Sequence, residues 1–122
     1  SSLCLFIAGA HPDLVDGVLA FSPGEFFTPE KPRTWIAEAA ARISNIPVFI
    51  TSGPSEGGQW EAIFEAIPSP GKRAYLPKEV AGLHGSSVLW SDLGNAEFAI
   101  PNPLAPGYWT AVETFLSQHF AR

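Results

Sequence analysis

Short apolar runs alternate with segments of helical spacing along the whole chain. The apolar runs lie at residues 15–21, 46–52 and 73–76, and the helical segments at 1–10, 34–43, 59–67 and 108–120. The first two runs, VDGVLAF and IPVFITS, show little alternation, which is typical of strands buried on both faces. Alternating helices and buried strands predict an α/β fold, a parallel three-strand sheet with helices on both faces.

The helical segments also carry predictions about which face is buried. Residues 1–10 are apolar almost all round, which predicts a fully buried helix. Thr34 is predicted to cap the second helix. The third helix is predicted to bury Trp60, Ile63, Phe64 and Ile67, and the fourth Trp109, Val112, Leu116 and Phe120. A further short helix is expected over residues 86–90.

Size and composition bound the domain organisation. At 122 residues, with no internal repeat or linker, residues 1–122 are expected to form a single domain. Hydrophobic residues make up 46% of the chain and charged residues 16%, which is enough to form a core. Cys4, the only cysteine, lies in an apolar run and is predicted to be a small buried hydrophobe.

Charge and motif content exclude several classes of function. The net charge of −5 disfavours nucleic acid and anionic lipid as partners. No run approaches the roughly 20 apolar residues that cross a bilayer, so no membrane partner is expected. The sequence has no Cys/His cluster with zinc spacing, no G-x-G-x-x-G and no Walker sequence, so neither metal nor cofactor is expected.

Candidate chemistry lies in the loops that follow the predicted strands. Parallel strands joined by right-handed crossovers bring these loops to one edge of the sheet, where α/β proteins bind ligands. The loop after the second strand, GPSEGG, contains Glu56, and the loop after the third, GLHGSS, contains His84. An imidazole oriented by a carboxylate is a competent general base for a nucleophile. The first loop contributes Ser22 and Glu25, which either shape a pocket or structure the loop.

Four stretches together resemble the C-terminal half of an α/β-hydrolase of the dienelactone-hydrolase-like group. They are HPDLVDGVLAFSPGEFF, IPVFITSGPSEGG, GLHGSS and NPLAPGYWTAVETFLSQHF, which cover nearly the whole chain. The resemblance implies that His84 is the catalytic histidine and that Glu56, three residues after Gly53, is the acid. Glu56 departs from the Asp that is usual at this position.

The resemblance also implies where the nucleophile lies. In this family the helix before HPDLV starts at a G-x-S-x-G elbow, so the nucleophilic serine is expected a few residues before Ser1. The chain opens inside an apolar stretch, SSLCLFIAGA, and is expected to be the C-terminal portion of the fold. The implied parent activity is hydrolysis of a small-molecule carboxylic ester-like substrate, and this chain alone is expected to be nearly inactive.

A second nucleophile candidate lies within the chain. Residues 53–57, GPSEG, form a G-x-S-x-G between a strand and a helix, which makes Ser55 an alternative nucleophile. Only one predicted strand precedes this one, and His84 follows closely, with little room for an acid strand between them. Both points favour the upstream serine over Ser55.

The sequence also allows a function of another class. A flavodoxin-like α/β binding or interaction module, without catalysis, fits the same order of elements.

Both hypotheses leave an apolar strand at the edge of the sheet, at residues 15–21. An uncovered strand edge pairs readily with another chain, so this edge is expected to allow self-association.

Overall fold

A computed structural model of the chain describes residues 2–25, 29–52, 59–77, 85–90 and 102–120. Its four α-helices in these ranges are α1 (Ser2–Ala10), α2 (Trp35–Ala40), α3 (Gln59–Ala66) and α4 (Ala105–Phe120). Its three strands are β1 (Val18–Phe21), β2 (Val48–Thr51) and β3 (Lys72–Tyr75). Two short 3₁₀ helices, Pro12–Leu14 and Gly85–Leu89, complete the described elements. The second of these is the short helix expected over residues 86–90, displaced by one residue.

The three strands form a parallel sheet in the order β1-β2-β3. The strands are in register, so that Phe21, Thr51 and Tyr75 lie side by side at their carboxyl ends. All four residues of β2 are buried, as its unbroken apolar pattern predicts. β3 is only partly buried because it forms one edge of the sheet. The predicted α/β class, with a parallel three-strand sheet, is confirmed.

One face of the sheet is covered by the first three helices. Alternate strand residues point to opposite faces, and Val48 and Ile50 of β2 join the core formed with these helices. Its helix residues are Leu5 and Ala8 of α1, Trp35, Ile36 and Ala40 of α2, and Ile63 of α3, with Ile67 just beyond. Both crossovers move along the sheet in the same direction, so a common right-handed crossover places α2 and α3 on the same face.

The opposite face is covered by α4. Phe49, between Val48 and Ile50 in β2, packs with Phe115 of α4 at a ring-centroid distance of 5.6 Å. Tyr75 of β3 packs edge-to-face with Tyr108 at 5.1 Å. Helices on both faces therefore bury the central strand completely, which confirms the layered arrangement that the sequence predicts.

The helix α1 is not buried all round, contrary to the prediction from its composition. Leu5 and Ala8 face the core, whereas Leu3 and Ile7 are exposed by 57% and 49%. A Cβ atom on Gly9 would clash with the carbonyl oxygen of Ala39, so glycine permits the close approach of α1 to α2. This contact helps to bury one side of α1, and the side with Leu3 and Ile7 stays exposed. Cys4 is partly buried against the core, and burial raises the pKa of its thiol.

The buried face of α4 also differs from the predicted one. Ala105, Tyr108, Val112 and Phe115 are buried, whereas Trp109, Leu116 and Phe120 are exposed by about two fifths. Both sets have helical spacing and share Val112, so periodicity alone does not separate them. Tyr75 and Phe49 decide between them, because their rings offer Tyr108 and Phe115 aromatic partners in the sheet.

None of the helices in the described ranges is long and apolar enough to cross a membrane.

Candidate functional site at the carboxyl edge of the sheet

The three strands end at the same level, which brings their following segments to one edge. The amide of Ser22, just after β1, donates to the carbonyl of Thr51 at 2.6 Å. The hydroxyl of Thr51 in turn donates to the carbonyl of Tyr75 at 2.6 Å. These two hydrogen bonds tie the ends of all three strands together. The edge is thus a fixed platform for the loops that follow it.

The predicted catalytic residues themselves lie outside the described residues. Ser55 and Glu56 fall within residues 53–58, and His84 falls within residues 78–84. The distance between Glu56 and His84, and any role of Ser55, therefore stay predictions. The structure does describe neighbours of each in the chain: Ser52, which is buried, and Gly85.

Gly85, which follows His84 in the chain, lies against the end of β1. Its amide donates to the hydroxyl of Ser22 at 3.0 Å. Both residues have positive φ, 57° for Ser22 and 65° for Gly85. At Gly85 the chain therefore lies beside the carboxyl end of the first strand. The sequence singled out Ser22 but gave no sign of this partner.

The 3₁₀ helix Gly85–Leu89 is fixed on its other side by the region that leads into α4. Asn102, which is buried, donates from its side chain to the carbonyl of Val88 at 2.8 Å. The indole N–H of Trp109 donates to the carbonyl of Leu89, also at 2.8 Å. Asn102 belongs to a segment that the sequence predicts only as an irregular loop. Its position before a proline, at the start of a helix, was the available signal.

Glu25 has a structural role in the helix that follows it. Its carboxylate oxygens accept hydrogen bonds from the amides of Ile36 and Ala37, at 2.9 and 2.7 Å. These amides belong to the first turn of α2, where no intrahelical acceptor exists. Thr34, the predicted cap, occupies the N-cap position but makes no capping hydrogen bond with its side chain. The carboxylate of Glu25 therefore takes over the capping function.

The start of α1 is anchored at the same edge. The hydroxyl of Ser2 donates to the carbonyl of Gly24 at 2.6 Å and accepts the amide of Gly24 at 3.0 Å. Gly24 belongs to the loop that leaves β1. The hydrogen bonds to Gly24 therefore hold the first turn of α1 beside the carboxyl end of β1. Gly24 itself follows Ser22 closely in the chain.

No group of three or more His, Cys, Asp or Glu side chains in the described part of the chain is arranged to hold a metal ion. Trp90 is exposed by 43%. An apolar groove of about 330 Å³ lies elsewhere, along the beginning of β1 and the end of α4. Its lining residues include Gly17, Val18, Leu19, Leu116 and Phe120.

No protein-family model, curated protein sequence or solved structure matches this chain.

Proposed function

We propose that this chain supplies the histidine and the acid of a serine hydrolase that cleaves small carboxylic ester-like substrates. In this proposal His84 is the general base, Glu56 orients its imidazole, and the nucleophilic serine lies upstream of Ser1. The observation that carries the proposal is the hydrogen bond from Gly85 to Ser22 at the carboxyl end of β1. It brings the residue next to His84 to the edge at which β2 also ends, before the segment that contains Glu56.

The position of α1 supports a nucleophile on the upstream side. α1 lies on the same face as α2 and α3 and begins at the carboxyl edge, where Ser2 bonds to Gly24. By the right-handed crossover rule, a parallel strand leading into α1 would pair with the free edge of β1 and end at that same edge. A serine between such a strand and Ser2 would lie near Ser22 and Gly85. This is the arrangement that an elbow between strand and helix requires.

The proposed reaction is a two-step acyl transfer. The serine hydroxyl attacks the ester carbonyl carbon while His84 accepts its proton, which forms a tetrahedral intermediate. The intermediate collapses, His84 returns the proton to the departing alcohol, and an acyl-enzyme remains. Water then attacks the acyl carbonyl with His84 again as the base, and the carboxylic acid leaves as the serine is regenerated.

The role of Glu56 in this scheme is electrostatic and orienting. A carboxylate that accepts the Nδ1–H of an imidazole holds Nε2 unprotonated toward the nucleophile. It also stabilises the imidazolium that forms in each step. An amide at this position would keep the shape of the side chain but remove the charge, so Glu56→Gln tests the role directly.

Labelling with a fluorophosphonate probe tests the proposal, because such a probe reports serines activated by a neighbouring base. The 122-residue chain and the same chain extended by its natural upstream sequence are labelled and mapped by mass spectrometry. We expect no adduct on the folded 122-residue chain and one adduct on an upstream serine of the extended chain. His84→Ala should abolish that adduct, and Glu56→Gln should slow it by at least tenfold.

The controls and alternatives are built into the same experiment. His11→Ala replaces an exposed histidine outside the proposed site and should leave labelling unchanged. An adduct on Ser55 that disappears in His84→Ala would make residues 53–57 the elbow instead. The absence of any adduct on the extended chain would overturn the hydrolase proposal and favour the non-catalytic α/β binding module.

A further inference from the structure

Ser22 has a backbone conformation that its side chain does not favour. In the part of the chain that the structure describes, it is the only residue other than glycine with positive φ. Glycine, asparagine and aspartate adopt this left-handed region far more readily than serine does. The amide of Ser22 also donates to Thr51, which fixes the residue against the end of β2. The conformation is therefore imposed by its place at the sheet edge.

The hydroxyl of Ser22 makes a contact that spans 63 positions of the chain. It accepts the amide of Gly85 at 3.0 Å. A Cβ atom on Gly85 would meet no atom within 4 Å, so space does not require glycine at this position. The positive φ of Gly85 favours glycine, because it turns the backbone as the chain enters the 3₁₀ helix. Ser22 thus holds a turned amide that immediately follows His84.

The rest of the 3₁₀ helix Gly85–Leu89 is held from the opposite side. Asn102 and Trp109 hydrogen-bond to the carbonyls of Val88 and Leu89. Those contacts fix the later part of the helix to the α4 region. The contact with Ser22 fixes its beginning to β1. The position of the Gly85 amide therefore depends on the hydroxyl of Ser22.

We propose that Ser22 is a positioning residue for His84. By holding the amide of Gly85 at the carboxyl end of β1, its hydroxyl constrains the backbone directly after His84, on which the environment of the imidazole depends. The inference rests on the proposed function, because it assigns Ser22 a role through His84. It differs from a purely structural role in that loss of the hydroxyl should alter the environment of the imidazole.

Two substitutions of Ser22 and one control separate the effect of the hydroxyl from the effect of the backbone conformation. Ser22→Gly accepts positive φ but lacks the acceptor, and Ser22→Asn accepts positive φ and supplies a side-chain oxygen. Ser44→Gly is the matched control, since Ser44 is an exposed loop serine. NMR measures hydrogen exchange of the Gly85 amide and the titration midpoint of the His84 imidazole, which is assigned with His84→Ala.

We expect Ser22→Gly to speed exchange of the Gly85 amide by about tenfold relative to the parent chain. It should also shift the His84 midpoint in the same direction as Glu56→Gln does. Ser22→Asn should retain most of the parent behaviour, and Ser44→Gly should change neither readout. If Ser22→Gly fails to fold, Ser22→Ala gives the same two readouts without the gain in backbone flexibility.

The two proposals fail in different ways. If Glu56→Gln shifts the His84 midpoint and Ser22→Gly does not, the positioning role is overturned and the proposed dyad stands. If Ser22→Gly speeds hydrogen exchange of the Gly85 amide but leaves the His84 midpoint unchanged, the positioning role is also overturned. The hydrogen bond between Ser22 and Gly85 would then be structural only. If Glu56→Gln leaves the midpoint unchanged, the dyad is overturned. A midpoint shift in Ser22→Gly would then still support positioning of His84 by Ser22.

Discussion

Single polar side chains fix the ends of several elements in this protein. Glu25 is the clearest case, because one carboxylate accepts two amides in the first turn of α2. α2 has only six residues, so the amides that lack an acceptor within the helix are a large share of its hydrogen-bonding groups. A negative charge at a helix N-terminus also interacts favourably with the helix dipole. The stability of α2 is therefore expected to depend on this residue.

Replacement of Glu25 tests this dependence. Glu25→Ala should lower the free energy of unfolding by about 2 kcal/mol, since it removes two charge-assisted hydrogen bonds to the first turn of α2. Urea unfolding followed by circular dichroism provides the measurement. Glu30→Ala is the matched control, because Glu30 is an exposed loop residue. Equal effects of the two substitutions would show that the carboxylate of Glu25 is not needed for α2.

The sequence predicts some of these single residues and misses others. The pattern of strand followed by loop points to Ser22 and Glu25, because they directly follow a buried run. It cannot assign their partners, Gly85 and the α2 amides, because hydrogen bonds between distant segments leave no local signature. Asn102 does have a local signal, its position before a proline at the start of a helix, but its hydrogen bond to Val88 has none. The positive φ of Ser22 is equally invisible, since serine seldom adopts that conformation.

At the scale of elements, periodicity predicts the order of helices and strands well. The strands of the structure all fall within or overlap the predicted runs, and α3 buries Ile63 as expected. Periodicity fails where two apolar stripes compete on one helix. In α4 the predicted stripe contains Leu116, whereas the buried stripe contains Phe115. The choice depends on Phe49 and Tyr75 in the sheet, which are distant in sequence.

Neighbouring residues of α4 provide a matched test of its orientation. Phe115 is 2% exposed and packs on Phe49, whereas Leu116 is 39% exposed. Phe115→Ala should lower the free energy of unfolding by about 3–4 kcal/mol through lost burial and a residual cavity. Leu116→Ala should cost less than about 1 kcal/mol. A larger loss of stability in Leu116→Ala than in Phe115→Ala, measured by chemical denaturation, would show that α4 buries the face that the sequence predicts.

At the scale of the whole molecule, the main feature is the apolar surface beside β1, which forms one edge of the sheet in the part of the chain that the structure describes. Leu116 and Phe120 of α4 are exposed there by about two fifths, and a groove along the start of β1 joins them to the strand. Leu3 and Ile7 of α1 are exposed as well. An apolar groove beside an edge strand favours a partner that continues the sheet and covers the groove.

The 122-residue chain by itself is therefore expected to self-associate through this edge. Sedimentation velocity should show an average mass that rises with protein concentration. Leu116→Lys should shift the distribution toward the monomer, because it places a charge in the groove. Leu76→Lys is the matched control, since Leu76 is similarly exposed at the opposite edge of the sheet. A monomer at all concentrations, or equal effects of both substitutions, would contradict association through β1.

The candidate site, too, is predicted in part by the sequence pattern and depends in part on contacts between distant residues. Strand order and the parallel register bring the carboxyl ends of β1 and β2 to one edge, and the sequence predicts this correctly. The proposed chemistry depends on two side chains, Glu56 and His84, whose separation no pattern determines. The hydrogen bond between Ser22 and Gly85 places the residue after His84 at that edge.

The distance between the Glu56 carboxylate and the His84 imidazole is the most direct test of the central claim. A high-resolution crystal structure of the chain extended by its natural upstream sequence provides the measurement. We predict that a carboxylate oxygen lies about 2.6–3.2 Å from Nδ1 of His84, within hydrogen-bond reach. Nε2 should then face the upstream serine. Side chains that point apart, with no bridging water, would contradict the acid–base pair and the hydrolase proposal that depends on it.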